Sequence, residues 1–400
     1  MRIGIYLKLI TPQAGGGFTY QDELMRALTV LKNHHHHFVL LCQGDGVVPI
    51  EESPNVRIVK LGSNLFRRIL TVFGVTHLGQ DLQTVFNKKF SLVSPRILKN
   101  EHIDIVWYPA GALFGSLTVP YIATVWDSQH RLQPWFPELS TGGEWFFRER
   151  HYEVWLKQAA YVIAGNNAGK EEAERFYGIP SANIRLLAHP TPQFALEVKE
   201  QVKSDIKERF SISDPFIFYP AQFWPHKNQQ LLIKAVHHLK EKYKISISVA
   251  LPGSDKGNKG HIREMAERYG VSDQVHFLNF VSREELIFLY QNAFALVIPS
   301  FFGPENFPPL EAFALGCPVV AANVAGAKEQ YGDAALFFDP KNHQELADHL
   351  KRMLTDTRIH KDLIKRGKKR SKEWTNKDYV EKMISLFNEF ESIRDCWPRA

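Results

Sequence analysis

Short apolar runs alternate with amphipathic segments along most of the chain. RIGIYLK (residues 2–8) is followed by a glycine loop and then by TYQDELMRALTVLK, a helical pattern. DIVWYPA (104–110), YIATVWD (121–127) and YVIAG (161–165) read as strands, the last leading into the helix NAGKEEAERFYG. Alternation of this kind predicts parallel sheets with helical crossovers. The pattern restarts at PFIFYPAQ (215–222), followed by a helix over 228–242 and strands at ISISVALPG (245–253) and VHFLNFV (275–281). Ser282 and Glu285 have the spacing of a capping box, which opens the helix REELIFLYQNA before a strand over 294–300. Between the two series, AHPTPQFALEVKE (188–200) bears prolines without clear periodicity and reads as a linker. The expectation is α/β: two doubly wound, Rossmann-like domains facing a central cleft.

Composition narrows this picture. With 44% hydrophobic and 23% charged residues over 400 positions, the chain has material for two soluble cores. Cys42, Cys317 and Cys396 lie far apart without a C-x-x-C, which gives neither a disulfide framework nor a zinc site and points to a reducing compartment. No run approaches the roughly 18 apolar residues of a membrane span, and Lys8 interrupts the apolar N-terminus, so a cytoplasmic protein is expected. The histidine run His34–His37 reads as a polar loop between helix and strand, with metal binding the minor alternative.

The net charge of +6 is localised. Residues 63–100 carry Arg67, Arg68, Lys88, Lys89, Arg96 and Lys99 against Asp81, and residues 358–373 carry eight Lys/Arg against Asp362 and Glu373. Two basic stretches on an otherwise acidic chain point to an anionic partner or surface rather than to nucleic acid. In the first, Leu65, Ile69, Val72 and Phe73 fall at helical spacing among arginines. Such a helix suits peripheral contact with an anionic membrane at its inner face, and suits an ordinary core-facing helix equally.

In open α/β sheets, ligands bind beyond the carboxyl ends of strands, where helix N-termini present N–H groups. Three turns there carry candidate chemistry. Gly15, Gly16 and Gly17 let backbone approach a bulky or anionic group, or form a flexible loop. They do not spell G-x-G-x-x-G, which disfavours a nicotinamide cofactor. His226 and Lys227 stand just before the helix that opens near Asn228, where a lysine suits a diphosphate gaining charge as a bond breaks. In FFGPENFPPLEAFALG (301–316), Pro308 and Pro309 suit a helix start and Gly316 its end. Glu311 is then expected in the first turn, either as a cap or as a carboxylate aimed at a sugar's hydroxyls.

Together these pieces resemble the retaining glycosyltransferases of family 4, which have the GT-B fold. The resemblance covers essentially the whole chain: the glycine loop, the HKN turn, VSREELIFLYQNAFALVIPS, PPLEAFALGCPVVAANVAGAKEQYGDAALFFDP and a late RSKEWT. Its C-terminal half is the specific part. Family members carry two glutamates eight positions apart in the third turn. Glu311 matches the second, which in the family binds the nucleotide ribose, whereas the first falls on Gly303, with Glu305 two residues later. The family's phosphate-binding arginine falls on Gln222, and its lysine is retained as Lys227. Its His-Asp pair appears as Trp126–Asp127, with His130 three residues on.

The resemblance implies transfer of a sugar from a nucleotide donor, UDP- or GDP-linked, to a glycan or lipid-linked acceptor in cell-surface polysaccharide or glycoconjugate synthesis. No D-x-D is present to hold a metal bridged to the diphosphate, so none is expected. Lys227, the helix N-terminus after it and backbone N–H groups near Asn306 and Phe307 would do that electrostatic work, with Gln222, His226 and Pro308 also expected among the substrate-binding residues. Glu305 is expected on the donor sugar, and Asp127 or His130 on acceptor or sugar. The implied layout is an acceptor domain over 1–187, a donor domain over 188–380 and a terminal helix over 381–400 packing back on the first domain. Each departure has a polar neighbour, which favours an active enzyme over a catalytically silent nucleotide-sugar-binding protein of the same fold.

Overall fold

The computed structural model describes residues 1–11, 15–30, 34–44, 48, 50–61, 78, 82, 85, 93–110, 118–303 and 305–398. Most of the basic segment 63–100, including Leu65, Ile69, Val72 and Phe73, lies outside them. The chain divides into two compact units, one of Met1–Ala188 with Lys377–Ala400 and one of His189–Asn376.

The first unit is built on β1 (Arg2–Lys8), β2 (His37–Gln43), β3 (Val56–Leu61), β4 (Ile105–Trp107), β5 (Tyr121–Val125), β6 (Tyr161–Ala164) and β7 (Ile184–Leu186). All pair in parallel, in the order β3-β2-β1-β4-β5-β6-β7. The second holds β8 (Phe216–Phe218), β9 (Ser248–Pro252), β10 (Val275–Asn279), β11 (Ala295–Ile298), β12 (Val319–Ala322) and β13 (Ala335–Phe338), in the order β10-β9-β8-β11-β12-β13 and again parallel. Their near-continuous apolar sequences follow from burial on both faces: β5, β9, β11 and β12 are buried at every position. Several strands are shorter than their apolar runs. The runs 104–110 and 215–222 contribute three strand residues each, although bonds to the neighbouring strands continue past them: the Tyr108 N–H donates to the Ile122 carbonyl and the Tyr219 N–H to that of Ala250.

Local signals shape the crossovers. Ser282 caps the helix Arg283–Asn292 with a full capping box: its hydroxyl accepts from the Glu285 N–H, and the Glu285 carboxylate accepts from the Ser282 N–H. The helix Phe307–Leu315 ends on Gly316, whose φ of 80° is the left-handed conformation that terminates helices. The helix after β1 spans Gly16–Val30, so it starts inside the glycine loop rather than after it.

The helix Asn376–Arg394 belongs, from Lys377 on, to the first unit. Phe387 is fully buried against Phe38 and Trp107, and the Tyr379 and Tyr20 hydroxyls are 2.6 Å apart. At its end Arg394 meets Asp104 at 3.0 Å, with both side chains about 95% buried, while the other Asp104 oxygen accepts from the Arg2 N–H. No helix among the described residues is long and apolar enough to cross a membrane.

Removing one partner of a buried ion pair leaves the other charge without compensation, at about 3–5 kcal/mol. Arg394→Ala is therefore expected to lower the urea midpoint strongly, whereas Arg358→Ala, which removes a solvent-exposed pair with Asp356, leaves the midpoint near wild type. Equal midpoint shifts for the two variants would refute a structural role for the Asp104–Arg394 pair.

Candidate active site

Strand order reverses between β8 and β11 in the second unit and between β1 and β4 in the first, which defines a topological switch point in each sheet. The turns leaving β8 and β11 therefore flank one crevice, and they carry most of the candidate residues. After β8, Pro225–Lys227 form a 3-10 turn that ends on Asn228 in the left-handed region, φ 57°, immediately before the helix Gln229–Tyr243. Asn228 spends its side-chain N–H groups on the carbonyls of Pro299 (2.9 Å) and Pro340 (2.8 Å), so its side chain does not cap the helix. That N-terminus keeps its electropositive character beside Lys227.

The two turns are locked together. The Phe301 N–H donates to the His226 carbonyl at 3.0 Å, and the His226 ring stacks on Phe302 with centroids 4.1 Å apart. The Tyr219 and Ser300 hydroxyls meet at 2.6 Å beneath them. Gln222 accepts on its side-chain oxygen from the Trp224 indole and on its carbonyl from Gln229. Gly253, after β9, presses on this turn: a Cβ there would lie 2.1 Å from the Ala221 oxygen, a contact that glycine alone permits.

The turn after β11 differs from its sequence-based reading in four respects. Its helix begins at Phe307, so Glu311 is the fifth helical residue and lies beyond the first turn. The Glu311 side chain is buried, and the Tyr290 hydroxyl donates to its Oε2 at 2.7 Å. Glu305 faces His189: Oε1 accepts from the His189 N–H and Oε2 from its ring Nδ1, both at 2.7 Å. Both oxygens thus hold the first residue of the second unit, and the donor-sugar contact expected of Glu305 is not what this geometry provides. The Asn306 N–H, expected to face a diphosphate, donates instead to Gln330 Oε1 at 2.9 Å, and Gln330 Nε2 returns a bond to the Asn306 carbonyl. The Asn306 amide also donates to the Gly303 carbonyl. Phe307 packs its buried ring edge-on against His189, and Pro308 occupies the second helical position.

Gly303 adopts φ 124°, where an L-residue is strained, and an added Cβ would meet the Asn306 side chain at 3.0 Å. A glutamate at this position would require a different backbone.

In the first unit, Gly15 (φ 75°) accepts from the N–H groups of Phe18 and Thr19 and so winds the first turn of Gly16–Val30. A Cβ on Gly17 would lie 3.7 Å from Cη2 of Trp126, so the glycine loop and the turn after β5 lie side by side. Asp127 Oδ1 accepts from the Gln129 N–H (3.0 Å) and from Arg148 Nη1 (3.2 Å). His130, proposed as a substrate contact, is instead fully buried, its Nε2 3.2 Å from Glu149 and 3.1 Å from the Tyr177 hydroxyl. Burial, with Arg148 adding, pushes this imidazole below its ordinary pKa, so it is an uncharged core group.

Sequence reasoning passed over Gln330, Tyr290, Arg148 and Glu172. Gln330 is itself braced by Arg370, whose Nε donates to the Gln330 carbonyl. Glu172 accepts from the Ser128 N–H at 3.1 Å, and burial raises its carboxyl to about 7, with Asp127 contributing repulsion. No spacing in NAGKEEAERFYG separates this glutamate from solvent-facing ones.

The family models agree with this architecture. "Glycosyltransferase Family 4" matches residues 14–191 and "Glycosyl transferases group 1" matches residues 202–370, one for each unit. The chain belongs to the family 4 glycosyltransferases and has the GT-B fold. It is 27% identical over 242 residues to O-antigen chain mannosyltransferase B of Escherichia coli, covering 60% of this chain and 64% of that protein. It is 25% identical over 218 residues to the uncharacterized glycosyltransferase MJ1607 of Methanocaldococcus jannaschii, covering 53% and 55%. The chain thus spans less than two thirds of the length of these curated relatives. HepE of Anabaena, solved in complex with UDP-glucose, superposes with a TM-score of 0.66 at 16% identity over 97% of this chain and all of that one.

Two outcomes test the site's construction. Gly303→Ala is expected to cost about 1–3 kcal/mol from left-handed strain, read as a lowered denaturation midpoint. A neutral substitution would show that the loop does not depend on this conformation. Glu172 binds its proton more tightly when folded than its ordinary value of 4.5 allows, so stability falls as pH rises from about 4.5 through about 7. Glu172→Gln removes that loss: the variant should gain on wild type in Tm at pH 8 relative to pH 5. A difference independent of pH would mean that Glu172 is solvated.

Proposed function

We propose that this chain transfers a sugar from a nucleotide-sugar donor to a glycan or lipid-linked acceptor in polysaccharide or lipopolysaccharide-type synthesis, with retention of anomeric configuration and without a metal. The observation that carries the reading is Lys227, set before an uncapped helix N-terminus in a turn clamped to the neighbouring switch-point turn. Family membership, the O-antigen mannosyltransferase relative and the UDP-glucose complex of a structural neighbour support it.

In this mechanism the second unit binds the donor and the first unit the acceptor. Lys227 and the N-terminus of Gln229–Tyr243 stabilise the nucleoside diphosphate as the glycosidic bond breaks. Glu311, oriented by the Tyr290 hydroxyl, binds the ribose. Glu305 acts at one remove, by fixing His189 and with it the chain leading into the donor unit. Asp127, fixed by Arg148 and its own Asx turn, orients acceptor or sugar beside the glycine loop. Gln222 stands where family members place an arginine. Its neutral amide leaves Lys227 and helix N–H groups to supply the positive potential. The protein works in the cytoplasm, at the inner membrane face where its acceptor is lipid-linked.

A panel of UDP, GDP, ADP and CDP in thermal denaturation identifies the base, since only a bound diphosphate raises Tm. Nucleoside diphosphate release from the matching donor then tests turnover. Lys227→Ala should lower it about 10²–10³-fold while leaving the Tm without ligand near wild type. Binding without turnover in wild type, across donors and acceptors, would establish the silent nucleotide-sugar-binding protein instead.

A further inference from the structure

The histidine tract His34–His37 has no part in the chemistry above, and the fold brings it to the helix Asn376–Arg394. His36, just before β2, is fully buried. Its Nε2 lies 2.8 Å from Asn388 Oδ1, which can only accept, so Nε2 carries the hydrogen and Nδ1 keeps its lone pair. That lone pair faces the buried Met1 ammonium at 3.3 Å, a contact that a cation on Nδ1 displaces. Glu391 lies on the same side: Oε1 is 3.0 Å from that amine and Oε2 is 2.6 Å from His35 Nε2. One ligand atom from each of His35, His36 and Glu391 lies within 4.8 Å of the others.

We propose that His35, His36 and Glu391 form a binding site for a zinc-class divalent cation that fastens the start of β2 to the C-terminal helix within the first unit. Two imidazoles and one carboxylate are a borderline donor set that favours zinc over calcium or magnesium, which need more oxygens. The Asn388 contact is the arrangement metal-binding histidines use to fix tautomer and ring orientation. A tetrahedral ion with ligands at roughly 2.0–2.2 Å sets them about 3.3–3.6 Å apart. The cluster must close by about an ångström, and His35, with its side chain 65% exposed, has room to make that movement.

The test uses the full chain, stripped with chelator and titrated calorimetrically with ZnCl₂, with Tm followed in parallel. The expected result is one saturable site and a Tm that rises with Zn²⁺ and stays constant with Mg²⁺. His35→Ala and Glu391→Gln should each weaken the affinity by at least ~10-fold, and Asn388→Ala by about 10–100-fold. His37→Ala, on the exposed neighbour in the same tract, should leave it unchanged. His35 and Asn388 are exposed, so these two variants report on the site without disturbing the core. Absence of saturable binding would overturn the proposal. So would wild-type affinity in His35→Ala and Glu391→Gln, because binding would then belong to the tract and not to the folded cluster.

Discussion

The contact on which the geometry of the second unit's candidate site rests is small: one backbone hydrogen bond from Phe301 to His226, covered by the His226–Phe302 stack. It joins two turns whose strands, β8 and β11, are adjacent in the sheet but some 80 residues apart in sequence. Without it, each turn would be an independent surface loop. With it, Lys227 and the N-terminus of Gln229–Tyr243 hold a fixed position against the turn that leads to Glu311. Preorganisation of this kind lets a half-buried cation act as more than a solvated charge. Asn228 reinforces it from below by bonding two carbonyls that belong to different loops.

Much of the fold was legible in the chain because parallel sheets leave a strong trace. Strands buried on both faces must be apolar throughout, and each crossover needs a helix with its own start and stop signals. Ser282–Glu285 and Gly316 are such signals, and both operate as their residue types dictate. Strand ends were overestimated where apolar sequence continued past the regular ladder, as at Tyr219, which follows β8, is buried beneath the turns and keeps a single bond from its N–H to the Ala250 carbonyl. Apolar pattern reports burial and does not by itself report pairing.

The site was legible to the level of its turns and no further. Sequence placed Lys227, His226 and the 301–311 loop together because strand ends converge at a switch point. It did not reveal that Glu305 is satisfied by His189, 116 residues earlier, or that Gln330 consumes the Asn306 N–H. Nor did it reveal that His130 lies in the core with Glu149 and Tyr177. Each of these is a tertiary partnership between polar residues without a periodic signature. A histidine or glutamate near a strand end looks the same in sequence whether it faces substrate or a buried partner.

These partnerships also bear on position 303, where the resemblance leads one to expect a glutamate. Gly303 is not simply a glutamate position that has lost its carboxylate. Its left-handed backbone sets its carbonyl to accept the Asn306 amide, and Asn306 is in turn held at both backbone groups by Gln330. Glu305 faces away toward His189 from the same loop. A carboxylate placed at 303 would strain φ and crowd Asn306, so it would disturb three hydrogen bonds before reaching any ligand. Loop conformation and side-chain identity therefore have to change together. The left-handed glycine at 303, the bonds that hold Asn306 and the turn of Glu305 toward His189 are one structural fact.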